Sequence, residues 1–371
     1  MNFGFTEEQD LLRQEVRKFL DAHCPLEEVR KLMETPEGFS RDLWKQMGEL
    51  GWIGLTVAEA HGGAGLGWVD LTVVLEEMGR TLFPSPYLAT TIAAAAIREA
   101  GSAEQQARWL PQLADGSKIA SLAHLEPSDR WDLAGVALDA KPQGGGVTLN
   151  GAKVQVLDAP AADLFVVSYR SAGGVGLALV ERNAAGVAVE ATPSIDATRR
   201  VGRVRFDGVA VAADALLANA SDAALGRVLD LATAAVTAEM LGAAEQDIRI
   251  TVQYAKEREQ FGHPIGRFQG VKHPLAEMFV DVESAKSILY YAAWALDERD
   301  ADAPRAVSLA KAYASEAFAR VGVDAVQLHG GVGFTWEYDP HLYLKRSKWA
   351  RPAFGDADFH YDRVIQFGEA K

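Results

Sequence analysis

The sequence predicts a mainly α-helical protein with a β domain in its middle, on three observations. Apolar residues recur at helical spacing from Thr6 to about Gly116, as in Leu11, Leu12, Val16, Phe19 and Leu20. Glycine-rich turns then separate short β-branched runs from about Ser117 to Leu216. Long alanine-rich amphipathic stretches return from about Asp222. The expected organisation is an N-terminal helical domain over residues 1–116, a small β-barrel or sandwich over 117–220 and a C-terminal helix bundle over 221–371.

Each part carries its own punctuation. Thr6-Glu-Glu-Gln9 fits a capping box that starts the first helix, because a threonine hydroxyl and a glutamine amide three residues on can satisfy each other's backbone amides. The β runs are Gly146-Val-Thr-Leu, Leu164-Phe-Val-Val, Val175-Gly-Leu-Ala-Leu-Val and Arg203-Val-Arg-Phe, with Gly144-Gly145-Gly146 as a hairpin tip. Breaks in the last part are expected at Gly262 to Gly266, at Asp300 to Pro304 and at Gly330 to Gly333.

Composition excludes several classes. The chain has 371 residues, 49% of them hydrophobic, which suffices for a large core divided between two or three domains. A formal charge of −14 argues against nucleic acid, whose phosphates need a basic surface. Cys24 is the single cysteine, so no intrachain disulfide and no cysteine-rich metal site is expected. Met1-Asn2-Phe3-Gly4-Phe5 lacks a basic, apolar leader and no run is long enough to span a bilayer, so a cytoplasmic location and no membrane association are expected.

Two segments carry the chemistry. In Arg258-Glu-Gln-Phe-Gly-His-Pro-Ile-Gly-Arg-Phe-Gln269, the residues Gly262, Pro264 and Gly266 forbid one continuous helix, so a helix end, a tight loop and a new helix start are expected. Such a junction can hold an anion: an arginine forks two hydrogen bonds onto phosphate oxygens, and the amides of the next helix start add partial positive charge. In Gln327-Leu-His-Gly-Gly-Val-Gly-Phe-Thr-Trp-Glu337, Gly330 and Gly331 read first as a helix C-cap and second as a place where backbone approaches a ligand closely.

Together, in this order, the two segments resemble the flavin-binding signature of the acyl-CoA dehydrogenase family. Gly62-Gly63-Ala-Gly-Leu-Gly67, Glu76-Glu77-Met-Gly79-Arg80, Leu149-Asn-Gly151-Ala-Lys153 and Ala162-Asp163 extend the resemblance over essentially the whole chain. It implies FAD, an acyl-CoA thioester substrate and an electron-transfer flavoprotein as acceptor. It also implies the reaction: a carboxylate takes a proton from the carbon beside the thioester carbonyl, a hydride leaves the next carbon for the flavin, and an α,β double bond results. Arg258, Phe261, Gln269, Gln327, Gly330 and Gly331 would hold the diphosphate and adenosine end of FAD across a subunit interface.

The resemblance fails where the family does its chemistry. The usual Glu-Gly-Thr, whose glutamate is the base, is replaced by Trp349-Ala-Arg-Pro-Ala-Phe-Gly-Asp-Ala357, and matching the glycine to Gly355 puts Phe354 at the base position. Asp356 is the nearest acid, and as a helix N-cap it needs no catalytic role. Relatives such as isovaleryl-CoA dehydrogenases carry the base at the place of Ala232, and Glu239 lies on the same helical face seven residues on, roughly 10 Å away. The flavin-ring segment Trp-x-Thr-Asn is replaced so that Gln155 and Leu157 stand for its aromatic and hydroxyl residues, and the usual Thr-Glu-Pro reads Leu125-Glu126-Pro127.

A chain that keeps the adenosine-end set and loses the ring-end set matches the non-catalytic subunit of a heteromeric acyl-CoA dehydrogenase, such as those acting on steroid side chains. The alternatives are a self-sufficient homo-oligomer with Asp356 or Glu239 as a displaced base, and a non-redox member that binds acyl-CoA or a protein.

Overall fold

In the computed structural model, which describes residues 4–369, the chain runs from helices through strands back to helices. The helices α1 (Glu7–His23), α2 (Leu26–Glu34), α3 (Arg41–Glu49), α4 (Trp68–Arg80), α5 (Tyr87–Ala100) and α6 (Ala103–Ala114) come first. The strands β1 (Ala120–Ala123), β2 (Asp139–Gln143), β3 (Gly146–Leu157), β4 (Leu164–Ser171), β5 (Gly174–Glu181), β6 (Val187–Thr192) and β7 (Val201–Val211) follow. After them come α7 (Asp222–Glu257), a hairpin of β8 (Glu259–Gln260) and β9 (His263–Pro264), then α8 (Gln269–Asp297), α9 (Ala303–His329), α10 (Pro340–Ala350) and α11 (Ala357–Glu369). The predicted mainly α fold with a central β domain is thus observed.

The chain packs as two compact units. One comprises Met1–Lys31, Trp68–Phe83 and Thr233–Lys371; the other comprises Leu32–Gly67 and Pro84–Ala232.

The second unit holds the β domain. Its strands form a three-stranded sheet in the order β1-β4-β5, with β1 parallel to β4, and a four-stranded antiparallel sheet in the order β2-β3-β7-β6. The glycine run 144–146 does form the turn between β2 and β3, where Gln143 pairs with Gly146. Beside the strands lies α5, twelve of whose fourteen residues are buried, which its Ala93-Ala94-Ala95-Ala96 run permits.

Among its described residues the first unit has helices as its only regular elements apart from the β8–β9 hairpin. The Thr6 capping box closes as expected, with Gln9 N donating to Thr6 Oγ1 at 3.2 Å and Thr6 N donating to Gln9 Oε1 at 3.0 Å. Within it α4 and α7 cross backbone to backbone. A Cβ added at Gly79 would lie 2.0 Å from the carbonyl oxygen of Glu239, and one at Gly242 would lie 1.9 Å from that of Glu76. The Glu76-Glu77-Met-Gly79-Arg80 motif is therefore a packing device: its glycine opens the crossing and its acids anchor neighbours. Arg13 pairs with Glu76 at 2.7 Å, Arg17 and Arg80 both pair with Glu77, and the Tyr290 hydroxyl donates to Glu76 at 2.7 Å. Two nearly fully buried carboxylates are tolerable only because each is multiply bonded.

Candidate functional site

The helix end, tight loop and new helix start expected between Arg258 and Gln269 are present. Helix α7 ends at Glu257, the β8–β9 hairpin reverses the chain, and α8 begins at Gln269. Gln260 pairs with His263, leaving Phe261 and Gly262 as a two-residue turn in which both have positive φ, +54° and +76°. Such turns match the strand twist but normally take Asn or Gly at both places. Here a phenylalanine holds the left-handed position with 90% of its surface in solvent, and only the edge of Phe268, with ring centroids 6.0 Å apart, touches its ring. Strain borne by an exposed aromatic residue points to a role outside the protomer's own core.

The second segment meets the first through side chains. The Tyr254 hydroxyl donates to the His329 carbonyl at 3.3 Å, and its ring stacks on the His329 imidazole at 4.3 Å. This contact ties the end of α7, one turn before Arg258, to the residue that precedes Gly330. Gly330 has φ +65°, and Cβ atoms added at Gly330 or Gly331 would meet nothing within 4 Å. Open space therefore lies above that backbone. Arg258, Gln269 and Gln327 are exposed, and among the described residues their side chains make no hydrogen bond or ion pair. No side chain caps α8, and its first turn holds no acid, so its leading amides remain available to an anion.

In the β domain a buried network shapes the segments around Leu125 and Gln155. The fully buried Lys153 ammonium donates to the His124 carbonyl at 2.9 Å, to Glu126 Oε1 at 2.7 Å and to Ser168 Oγ at 3.1 Å. Burial pushes the Lys153 amine down to about 8, against the pull of Glu126. Burial and the Lys153 charge drive the His124 imidazole down to about 4. Burial would raise the Glu126 carboxyl, yet Lys153 and the amides of Ala137 and Leu138 hold it below its ordinary value. The pairing of β3 shifts register between Lys153 and Val156, and Gln155 takes φ +50° in that bulge. Val154 N donates to the Leu125 carbonyl at 2.8 Å, which brings the Leu125 and Gln155 segments together. Leu125 and Leu157 are buried and Gln155 is exposed.

The candidate bases lie apart from one another in role. Asp356 is exposed and accepts the Phe359 amide at 2.9 Å, so it caps α11. Glu239 is buried in the first unit with Arg346 Nη1 at 3.7 Å, so its carboxylate has a buried counter-ion. Phe354 is buried with φ +59°, followed by Gly355 at +105°. A Cβ at Gly355 would lie 2.3 Å from the Phe359 ring, so only glycine fits there.

Lys311 organises this loop, a role invisible in the sequence except as a lysine in an otherwise apolar helical stripe. Its buried ammonium donates to the carbonyls of Arg351 at 2.8 Å, Gly355 at 2.9 Å and Ala350 at 3.2 Å, and to Ser315 Oγ at 3.0 Å. Burial pushes the Lys311 amine down to about 7; Asp356 opposes that shift and Arg351 adds to it. His360 contributes the remaining bond, between Nε2 and the Phe354 carbonyl at 3.0 Å.

Residues 6–117 match the model of the acyl-CoA dehydrogenase N-terminal domain, and residues 222–367 match that of the acyl-CoA dehydrogenase C-terminal domain. The chain belongs to the acyl-CoA dehydrogenase family. It is 33% identical over 343 residues to the acyl-CoA dehydrogenase IpdE2 of Mycolicibacterium smegmatis, covering 92% of this chain and 93% of that one. The ChsE4-ChsE5 complex from Mycobacterium tuberculosis contains a chain of the same fold with TM-score 0.92 and 32% identity, each chain fully covered. An FAD-dependent dehydrogenase of known structure has TM-score 0.89 and 29% identity, with 99% of both chains covered.

The cofactor of this acyl-CoA dehydrogenase family member is FAD. One end of that molecule suits the residues present. An unpaired exposed guanidinium, two unpaired amides and an open glycine backbone are the donor set a diphosphate and ribose require. Gln155, Leu157 and Leu125, which the resemblance sets at the ring end, carry neither an aromatic ring nor a hydroxyl. Among the described residues no group of three or more His, Cys, Asp or Glu could hold a metal ion, and no helix is long and apolar enough to cross a membrane.

Proposed function

We propose that this chain is the partner subunit of a heteromeric acyl-CoA dehydrogenase that introduces an α,β double bond into an acyl-CoA thioester. Its contribution is the grip on the diphosphate and adenosine end of FAD, made by Arg258, Phe261, Gln269, Gln327, Gly330 and Gly331. The observation that carries this reading is the contrast between two sets of positions. Arg258, Gln269 and Gln327 are exposed and, among the described residues, their side chains make no hydrogen bond or ion pair, as groups awaiting a ligand should, whereas Phe354, at the position the resemblance gives to the base, is a buried ring. The ChsE4-ChsE5 complex supports the reading as a two-chain relative.

In such an assembly the other chain supplies the base and the ring contacts. FAD, when bound, would supply the acceptor for the hydride that leaves the β-carbon of the thioester. This chain's Arg258 neutralises diphosphate charge, and the Gly330-Gly331 backbone lets the ligand approach without a Cβ in the way. A bulky thioester, such as a steroid side chain, and an electron-transfer flavoprotein acceptor belong to the same reading.

The alternative of a self-sufficient enzyme assigns the base to Asp356 or Glu239, but a helix cap and a carboxylate with a buried counter-ion are each already employed. A non-redox member gives no reason to keep both halves of the grip. Purifying the chain alone and counting flavin per protomer tests the proposal. Little FAD and negligible acyl-CoA oxidation alone, with both restored by co-expression with a second dehydrogenase chain, is the expected result. One tightly bound FAD per protomer with brisk turnover overturns it.

A further inference from the structure

Beyond Tyr254 and His329 the aromatic surface of the first unit continues to a second group of unsatisfied residues. The ring of Tyr338 lies 5.9 Å from that of Tyr254 and 6.3 Å from that of His329, which joins it to the Gly330 segment. Two residues earlier, Trp336 is 63% exposed. The Lys345 ammonium sits 4.5 Å from its ring centroid and the Arg30 guanidinium 6.0 Å away. Arg30 is engaged, donating to Asp339 Oδ1 at 2.7 Å and to the Tyr338 carbonyl at 2.9 Å. Glu337 is exposed and lies against Thr335. Lys345 has the indole as its partner and, among the described residues, no carboxylate. Edge to face with the indole, 4.9 Å away at 81°, is His341, which is 1% exposed and, among the described residues, has no hydrogen-bond partner on either ring nitrogen. An imidazole with two unmet hydrogen bonds, an uncommitted ammonium and an exposed indole on one patch ask for a ligand with both a flat face and a negative charge.

We propose that Trp336, Lys345 and His341 form an adenine-nucleotide subsite that continues the Arg258 grip. The inference rests on the reading of that grip and extends it to residues outside the two signature segments. The indole is the stacking platform, and Lys345 swings from the ring to a phosphate oxygen. That exchange is favourable because an exposed cation–π contact is weaker than a charge-assisted bond to phosphate. His341 is neutral, burial and the charges of Lys345 and Arg30 having pushed it down to about 4, so it offers one N–H and one lone pair in place of a second cation. Indole stacking tolerates any base, so selectivity for adenine over other purines is not implied.

The test uses the full chain, alone and with its partner, and ADP as probe. ADP should quench tryptophan fluorescence saturably, and the quenching component should vanish in Trp336→Phe, which identifies it among the eight tryptophans. Lys345→Ala should weaken ADP binding by about tenfold, with most of the loss restored in Lys345→Arg. Trp336→Ala should weaken it too, and adenosine should compete with ADP. Affinities of Lys345→Ala and Trp336→Ala within about twofold of wild type, less than 0.5 kcal/mol, would overturn the subsite. So would pyrophosphate binding as tightly as ADP with no competition from adenosine, since that is an anion site only. Arg258→Ala separates the two ideas. If it abolishes binding while the Trp336 and Lys345 variants do not, the grip stands and the subsite falls; if only the latter weaken binding, the subsite stands and the grip falls.

Discussion

Asp247 on α7 is fully buried, and among the described residues neither carboxylate oxygen has a hydrogen-bond partner. Burial raises its carboxyl well above the ordinary value, so the native state holds the acid neutral. In the unfolded chain the group ionises above about pH 3.9, while the native chain keeps its proton, so the native state binds more protons and stability falls as pH rises. Each pH unit above about 3.9 removes about 1.4 kcal/mol until the native carboxyl itself ionises; below that pH nothing is lost. Asn has nearly the same shape and cannot ionise, so Asp247→Asn should be close to neutral at pH 4 and gain on wild type as pH rises, by at most about 1.4 kcal/mol per unit until the native carboxyl ionises. Urea midpoints and m-values for the two proteins at pH 4, 5, 6 and 7 measure this directly. An Asn variant that is less stable than wild type at pH 7 would refute the reasoning, because it would mean that the carboxylate is charged and held by a partner.

Arg258→Ala should weaken FAD retention in the assembled protein by about 1.5 to 3 kcal/mol, the worth of a charge-assisted contact; unchanged flavin affinity by titration would remove Arg258 from the grip. Gly79→Ala drives a methyl to 2.0 Å from the Glu239 carbonyl and should destabilise by roughly 3 kcal/mol or more in denaturant, whereas a near-neutral effect would mean that the α4–α7 crossing is looser than described. Asp356→Ala removes the α11 cap and should cost about 1 kcal/mol of stability with turnover of the assembled enzyme unchanged; a loss of turnover by orders of magnitude would instead make Asp356 the base. Lys311→Met leaves the carbonyls of Ala350, Arg351 and Gly355 without their buried donor, and should release the loop to proteolysis in native conditions before the rest of the chain unfolds.

Local chemistry along the chain was enough to set the helix, strand and helix order, because periodicity, β-branched runs and glycine turns act over a few residues. The Thr6 capping box, the hairpin tip at residues 144–146, the break between Arg258 and Gln269 and the Asp356 cap all close within a handful of positions, and all are present. The two segments proposed to hold FAD were legible as turns for a related reason: glycines and a proline that break a helix act locally. What the tertiary structure alone decided are the partners of buried polar groups, which come from distant parts of the chain. Helix α4 has its first amides capped by Asp297 of α8, at 2.7 Å to Trp68 N and 3.1 Å to Val69 N. Lys153 finds its acid in Glu126 and Lys311 its carbonyls beyond α10. Glu239, one of two acids weighed as a displaced base from its apolar run, has Arg346, far along the chain, beside it. A buried charge is stable only with a partner, and which partner it has depends on how helices cross, a property that no window of sequence contains.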